Sequence, residues 1–196
     1  MSEAVSIFHP PMDAFNPGAK ISAAQLCQTL SEIPFLRDLG ESDCHAIAPL
    51  LSVETFSSGD ILFYEDDESD SVYFLASGVI EVFKSNVEGR KLPLLVLRQH
   101  GLLGEIGLLL GEPRTATARA LSAATVLKLS REDFDGAVAN GNRAAFDLTL
   151  SFAKVLASRL RATDAKLFEL FESDVSEALL KQLSDTRAKL LSRMAE

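Results

Sequence analysis

The sequence predicts an α+β domain: an antiparallel, jelly-roll-like β-roll with helices before it, one short helix inserted in it and long helices after it. Two observations carry that expectation. From Val53 to Ser130, short runs rich in Val, Ile, Phe and Thr alternate with Gly-rich and acidic turns, the texture of many short, regularly spaced strands. On both sides of that stretch the apolar residues recur every three or four positions instead, the period of an α-helix. The composition agrees, with 47% hydrophobic and 24% charged residues among 196, enough apolar side chains for one main core plus appended helices.

Residues Met1 to Lys20 hold Pro10, Pro11, Pro17 and Gly18 and read as a mobile tail without the apolar run of a secretory signal. Helical spacing follows in Ala23–Leu30 and Ser42–Leu51, separated by Pro34 and Gly40, with Ser42 expected as an N-cap. The expected strands are Val53–Phe56, Asp60–Phe63, Val72–Ala76, Val79–Lys84, Leu92–Leu97, Ala116–Ala120 and Ala124–Leu129. Ser57-Ser58-Gly59, Asp66-Asp67-Glu68-Ser69, Ser77-Gly78 and Glu88-Gly89 supply their turns. Gly104 to Gly111 interrupts the strands as a short helix.

Ser130 is expected to cap a helix over Arg131–Ala139, which Asn140-Gly141-Asn142 ends. A long helix then runs from about Ala144 to Phe171. Phe146, Leu150, Ala153, Ala157, Leu160, Leu167 and Phe171 form a seam in steps of three and four, broken at Asp164. That is coiled-coil spacing and predicts a homodimer through this helix. A last amphipathic helix, about Val175 to Met194, carries Leu179, Leu183, Leu190 and Met194 on one side and offers a surface to a protein partner. The expected organisation is a tail (1–20), a β-roll with its N-terminal helices (21–140), a dimerisation and lid helix (141–172) and the amphipathic helix (173–196).

With 19 Lys and Arg against 28 Asp and Glu, the formal net charge is −9. Broad binding to nucleic acid or to an anionic membrane is therefore disfavoured electrostatically, although one anion held by a local cluster of donors is not. No run of about 18 apolar residues exists for a membrane span, so a cytoplasmic protein with no membrane attachment is expected. Cys27 and Cys44 read as reduced thiols packed on helices. His9, His45 and His100 lack metal-site spacing, no Ser/His/Asp nucleophile motif occurs, and Gly104-Glu105-Ile106-Gly107 is neither a Rossmann nor a Walker pattern. No enzyme activity, metal or cofactor is expected.

The informative stretch is Leu103-Gly104-Glu105-Ile106-Gly107-Leu108-Leu109-Leu110-Gly111-Glu112-Pro113-Arg114-Thr115-Ala116-Thr117. Gly104 and Gly107 let main-chain amides approach a ligand closely. A short helix beginning near Glu105 directs unpaired N–H groups at an anion. Arg114 follows with a planar fork suited to phosphate. Glu105 is out of place beside a phosphate unless it accepts a hydrogen bond from a neutral hydroxyl nearby, and a phosphate joined to a ribose supplies both groups.

This stretch closely resembles the phosphate-binding cassette of the cyclic nucleotide-binding domain family. There Phe-Gly-Glu-(Ile/Leu)-Ala-Leu-Leu is followed, after a short gap, by Pro-Arg-(Thr/Ala)-Ala-Thr. Ile33-Pro34-Phe35-Leu36-Arg37-Asp38-Leu39, Phe56-Ser57-Ser58-Gly59-Asp60 and Val72-Tyr73-Phe74-Leu75-Ala76-Ser77-Gly78 resemble other signatures of the family, so the likeness covers about residues 30–170. Leu103 stands where the family usually has Phe, and Asp66 and His100 stand where Gly is common.

The resemblance implies that the inserted helix binds phosphate. It assigns Glu105 to the ribose 2′-hydroxyl, Arg114 to the cyclic phosphate, and the amides of Gly104, Ile106, Thr115 and Ala116 to further phosphate contacts. Ala157 to Leu167 is similar to the dimer helix of the family's catabolite activators, which places Thr163 and Asp164 against the purine. Phe152 and Leu156 are candidates to cap the base, with core or dimer packing the favoured role. Thr115 keeps cGMP open, since Thr after the cassette Arg is compatible with guanine, but cAMP is the expected ligand. The implied function is a regulatory sensor whose bound cyclic nucleotide biases the position of the long helix. A cGMP sensor, or an oligomerisation module with vestigial binding, is the alternative. The family's transcription factors continue into a winged helix-turn-helix. About two dozen residues follow Phe171, so direct DNA binding is not expected.

Overall fold

The computed structural model describes residues 22–37, 39–174 and 181–187, with only the backbone described at 172–174. Two compact units divide the chain, Met1–Phe152 and Ala153–Glu196, and each is treated by itself.

In the first unit, helix α1 (Ala23–Glu32) starts at Ser22, whose side chain accepts from the Gln25 amide while Gln25 reaches back to the Ser22 amide. This reciprocal box satisfies two otherwise orphaned donors. Helix α2 (Glu41–Ile47) is capped by Gly40 rather than by the expected Ser42. The Asp43 carboxylate accepts from the Gly40 amide at 3.1 Å and so does from inside the helix what a capping serine does from outside. Pro49 then tightens the expected helical end into a 3-10 turn over Ala48–Leu50, and Leu51 already belongs to a strand.

Eight strands follow: β1 (Leu51–Phe56), β2 (Ile61–Phe63), β3 (Ser71–Ser77), β4 (Ile80–Ser85), β5 (Lys91–Leu97), β6 (Leu102–Leu103), β7 (Thr117–Ala120) and β8 (Ala124–Ser130). They form two four-stranded sheets, ordered β1-β8-β3-β6 and β2-β7-β4-β5, and every pairing is antiparallel. The predicted roll is thus present, and the seven expected strands all appear within a residue or two. Only β6 lacked a signal of its own. Two residues are too few for periodicity, and its pairing of Leu103 with Tyr73 and Leu102 with Phe74 is purely tertiary.

The core of the roll is Tyr73, Leu75, Ile80, Leu103, Ala118, Ala120, Ala124 and Val126. Small alanines on β7 and β8 share this core with bulkier β3 and β4 side chains. A second cluster ties helices to the roll. Phe152 is fully buried with its ring 6.0 Å from Phe74 and 6.2 Å from Phe134. Burying a side chain of this kind is worth about 1.5–3 kcal/mol, and it settles Phe152 as a packing residue.

Helix α3 (Glu105–Leu110) is inserted between β6 and β7, α4 (Arg131–Ala139) follows β8 with Ser130 as N-cap, and α5 spans Arg143–Asp174. In the second unit, Leu160 and Leu167 of the seam are exposed on α5. Residues 181–187 are helical, and the rest of the expected last helix, like the expected tail at 1–20, lies outside the described residues. Cys27 and Cys44 are free thiols on α1 and α2. No helix among the described residues is long and apolar enough to cross a membrane.

Candidate ligand site and family

The site is built where the chain leaves β6. Gly104 takes φ +80°, a left-handed conformation that side chains disfavour, and turns the chain into α3. Nothing larger fits: a Cβ there would stand 2.2 Å from Arg114 Nη1 and 2.9 Å from the Ser71 carbonyl oxygen. Glu105 then opens α3 with its side chain buried at 2% exposure, in the turn where a carboxylate suits the helix dipole. Ile106 is half-buried.

Gly111 ends the helix in a second left-handed turn, and Pro113 leads into Arg114. The main chain of Arg114 is fixed from both sides. Its amide donates to the Asp67 carbonyl at 2.8 Å, and its carbonyl accepts from Asp66 at 2.9 Å. Asp66 can do this because it sits at φ +68°. His100, the other residue expected to stand at a glycine-like position, has φ +69°. Both take this left-handed conformation while carrying a side chain.

The Arg114 side chain is 3% exposed. A guanidinium has five N–H donors, and four of them meet protein acceptors here. Nη1 donates to the Ser71 carbonyl at 2.7 Å and, at 3.4 Å, to that of Gly104. Nη2 donates to Asp70 Oδ1 at 3.1 Å and to Ser71 Oγ at 3.0 Å. The fifth donor, Nε, is buried without a partner. The guanidinium lies over the ring of Phe63 at 4.3 Å, and Tyr73 stands 5.6 Å away.

Burial pushes the Arg114 pKa below the usual arginine value, opposed by Tyr73 and Asp70. Burial alone would raise the Asp70 carboxyl, but the Ser71 hydroxyl, Lys128 and Arg114 together hold it below its ordinary value. The Asp70 side chain is 62% exposed. The cation is therefore enclosed mainly by neutral oxygens and rings, with the carboxylate of Asp70 turned to water.

Gly104, Glu105, Ile106, Arg114, Thr115 and Ala116 thus lie together, with Ala116 buried and Thr115 exposed. Thr163 and Asp164 are exposed on α5 in the second unit, where Thr163 Oγ1 donates to the Arg159 carbonyl at 2.9 Å. Sequence reasoning missed Phe63, Asp70, Ser71 and Tyr73 around Arg114. Most of them act through carbonyls or rings, and no motif of residue types announces that role.

The family model described as cyclic nucleotide-binding domain matches residues 53–140. Those residues belong to the cyclic nucleotide-binding domain family. The matched residues include α3 and Arg114. The chain is 33% identical over 132 residues to the cyclic AMP receptor protein of Thermus thermophilus, a match covering 65% of this chain and 59% of that one. It is 34% identical over 105 residues to a cAMP-dependent protein kinase regulatory subunit of Emericella nidulans, covering 54% of this chain and 25% of that one. The solved Thermus thermophilus catabolite activator protein superposes with a TM-score of 0.59 at 28% identity, covering 70% of this chain and 62% of that one. The chain therefore spans less than two thirds of the length of either curated relative, and what those whole proteins do is not carried over by likeness alone.

Proposed function

We propose that this chain is a cyclic nucleotide sensor, taking cAMP foremost, that couples occupancy of its β-roll to movement of the C-terminal helix. One observation carries the reading: Arg114 is a buried, permanent cation whose Nε–H has no acceptor. A buried donor left unmade costs about 1–3 kcal/mol, and an oxygen of a singly charged cyclic phosphate satisfies it while neutralising the guanidinium. The amides of Gly104, Ile106, Thr115 and Ala116 complete the phosphate contacts, and the Glu105 carboxylate accepts from the ribose 2′-hydroxyl.

Thr163 and Asp164 are assigned to the base, and the exposed Leu160 and Leu167 of α5 to a parallel homodimer. Ligand drives a change only by binding two arrangements of the protein unequally. The chain supplies regulation and no catalytic step, resides in the cytoplasm, and with a net charge of −9 makes no direct DNA contact.

Isothermal titration of the full chain with cAMP, cGMP and 5′-AMP tests the reading. Saturable binding is expected for cAMP, weaker for cGMP, and weakest for 5′-AMP, whose dianionic open phosphate does not match one guanidinium donor and a ring of amides. Absence of heat with both cyclic nucleotides, together with an unchanged Tm at millimolar ligand, overturns it, since tight binding must raise Tm.

A further inference from the structure

Helix α3 is six residues long, far below the length of about 12–15 at which a helix begins to hold itself in water. Its last carbonyls need partners from elsewhere. One comes from within, as the Gly111 amide donates to the Gly107 carbonyl at 2.9 Å. Two more bonds come from Arg131, the first residue of α4. Arg131 Nη2 donates to the Gly107 carbonyl at 2.7 Å and Nη1 to that of Leu108 at 3.1 Å. Its Nε donates to the Ser69 carbonyl at 2.9 Å. Its own amide donates to the Asp70 carbonyl at 2.7 Å. A cation at this end of a helix also complements the dipole.

We propose that Arg131 is a positioning residue for the cyclic nucleotide, holding the C-terminal end of α3 from the first turn of α4 and so setting where Gly104, Glu105 and Ile106 meet the ligand. The inference rests on the functional reading above and deepens it.

Two further features leave α3 no other seat. Gly107 lies so close to Ser69 that a Cβ would stand 2.0 Å from Ser69 Oγ and 2.9 Å from the Glu112 carbonyl. Ser69, whose carbonyl Arg131 takes, precedes the Asp70 and Ser71 that hold Arg114. Three consecutive residues are thus gripped by two arginines, one at the ligand site and one on α4. Helix α4 is itself anchored, through Phe134 against the buried Phe152. Displacing α3 must therefore break the Arg131 bonds or move the segment that holds Arg114. Arginine is required because three carbonyls in different directions need a planar fork, and a lysine ammonium on a flexible stem does not reproduce it.

The test titrates the full chain with cAMP as wild type, Arg131→Met, Arg131→Lys and Val126→Ala, the last a core change that lowers Tm without touching α3. Glycine-selective 15N spectra of the unliganded proteins are recorded in parallel. Arg131→Met is expected to weaken cAMP at least tenfold and to displace the Gly107 and Gly111 amide signals, with Gly59 and Gly141 unmoved. Arg131→Lys is expected to lose at least threefold, and carries the test should the Met variant not fold. Val126→Ala is expected to keep its Kd within twofold despite a lower Tm, which separates positioning from general stability.

Wild-type affinity in both Arg131 variants, with Gly107 unmoved, overturns the inference. Failure of the wild type itself to bind either cyclic nucleotide is the failure of the functional reading, and the Gly107 signal then still decides whether Arg131 seats α3.

Discussion

Arg114 and Arg119 stand five residues apart around the start of β7, yet the protein treats them oppositely. Arg119 points from β7 toward β4, where its Nε donates to Glu81 Oε1 at 2.6 Å and its Nη2 meets the same carboxylate. The two side chains are 32% and 17% exposed, and the Phe83 ring lies 5.6 Å from the guanidinium. This pair is complete: one cation and one carboxylate, half-buried. Arg114 is more deeply buried, meets three neutral oxygens beside one carboxylate that is turned to water, and keeps one donor unmade. A cation buried at such cost with an open donor is what a site for an anionic ligand requires, whereas Arg119 is an ordinary structural ion pair.

The contrast breaks most readily at Arg114 itself. Arg114→Ala is expected to remove cAMP binding by about 2–5 kcal/mol, read by calorimetry, while circular dichroism shows the roll retained. Glu105→Gln keeps the shape of the buried side chain but weakens the hydrogen bond proposed for it with the ribose. A loss of about 1–2 kcal/mol in cAMP affinity is expected, with little change toward a 2′-deoxy analogue. On the other side, Arg119→Ala is expected to lower stability by about 1 kcal/mol, measured by urea unfolding, and to leave the Kd unchanged.

Asp70 gives the smallest effect. Its folded pKa is depressed from 3.8, so its contribution is present above that value and lost as pH falls through the folded one. Wild type and Asp70→Asn are therefore expected to differ slightly in Tm at neutral pH and to converge below about pH 4.

The same contrast explains what the sequence made legible. Periodicity and turn residues reveal the roll because seven strands each span several residues, and the boundaries of α4 are legible because Ser130 is a side-chain cap. The cap of α2 was misplaced because Gly40 has no side chain to announce the role and acts through its backbone amide, which donates to Asp43. Gly104, Glu105 and Arg114 stand out in the sequence because they are particular residue types at fixed spacing, and the fold brings Arg114 Nη1 within 3.4 Å of the Gly104 carbonyl. What encloses Arg114 was not, since the carbonyls of Ser71 and Gly104 are offered by every residue type, and the aromatic faces of Phe63 and Tyr73 look like core. Arg131 was hidden for the same reason, because all its side-chain partners are main-chain oxygens.

The measurement that addresses the open donor most directly is the 1H–15N spectrum of the arginine Nε–Hε groups during a cAMP titration. The Arg114 signal is expected to move downfield in step with occupancy as Nε gains a phosphate oxygen, while the Arg119 signal stays where it is. An Arg114 signal that does not move while calorimetry shows the protein saturated would contradict the account, because the ligand would then be held by other groups.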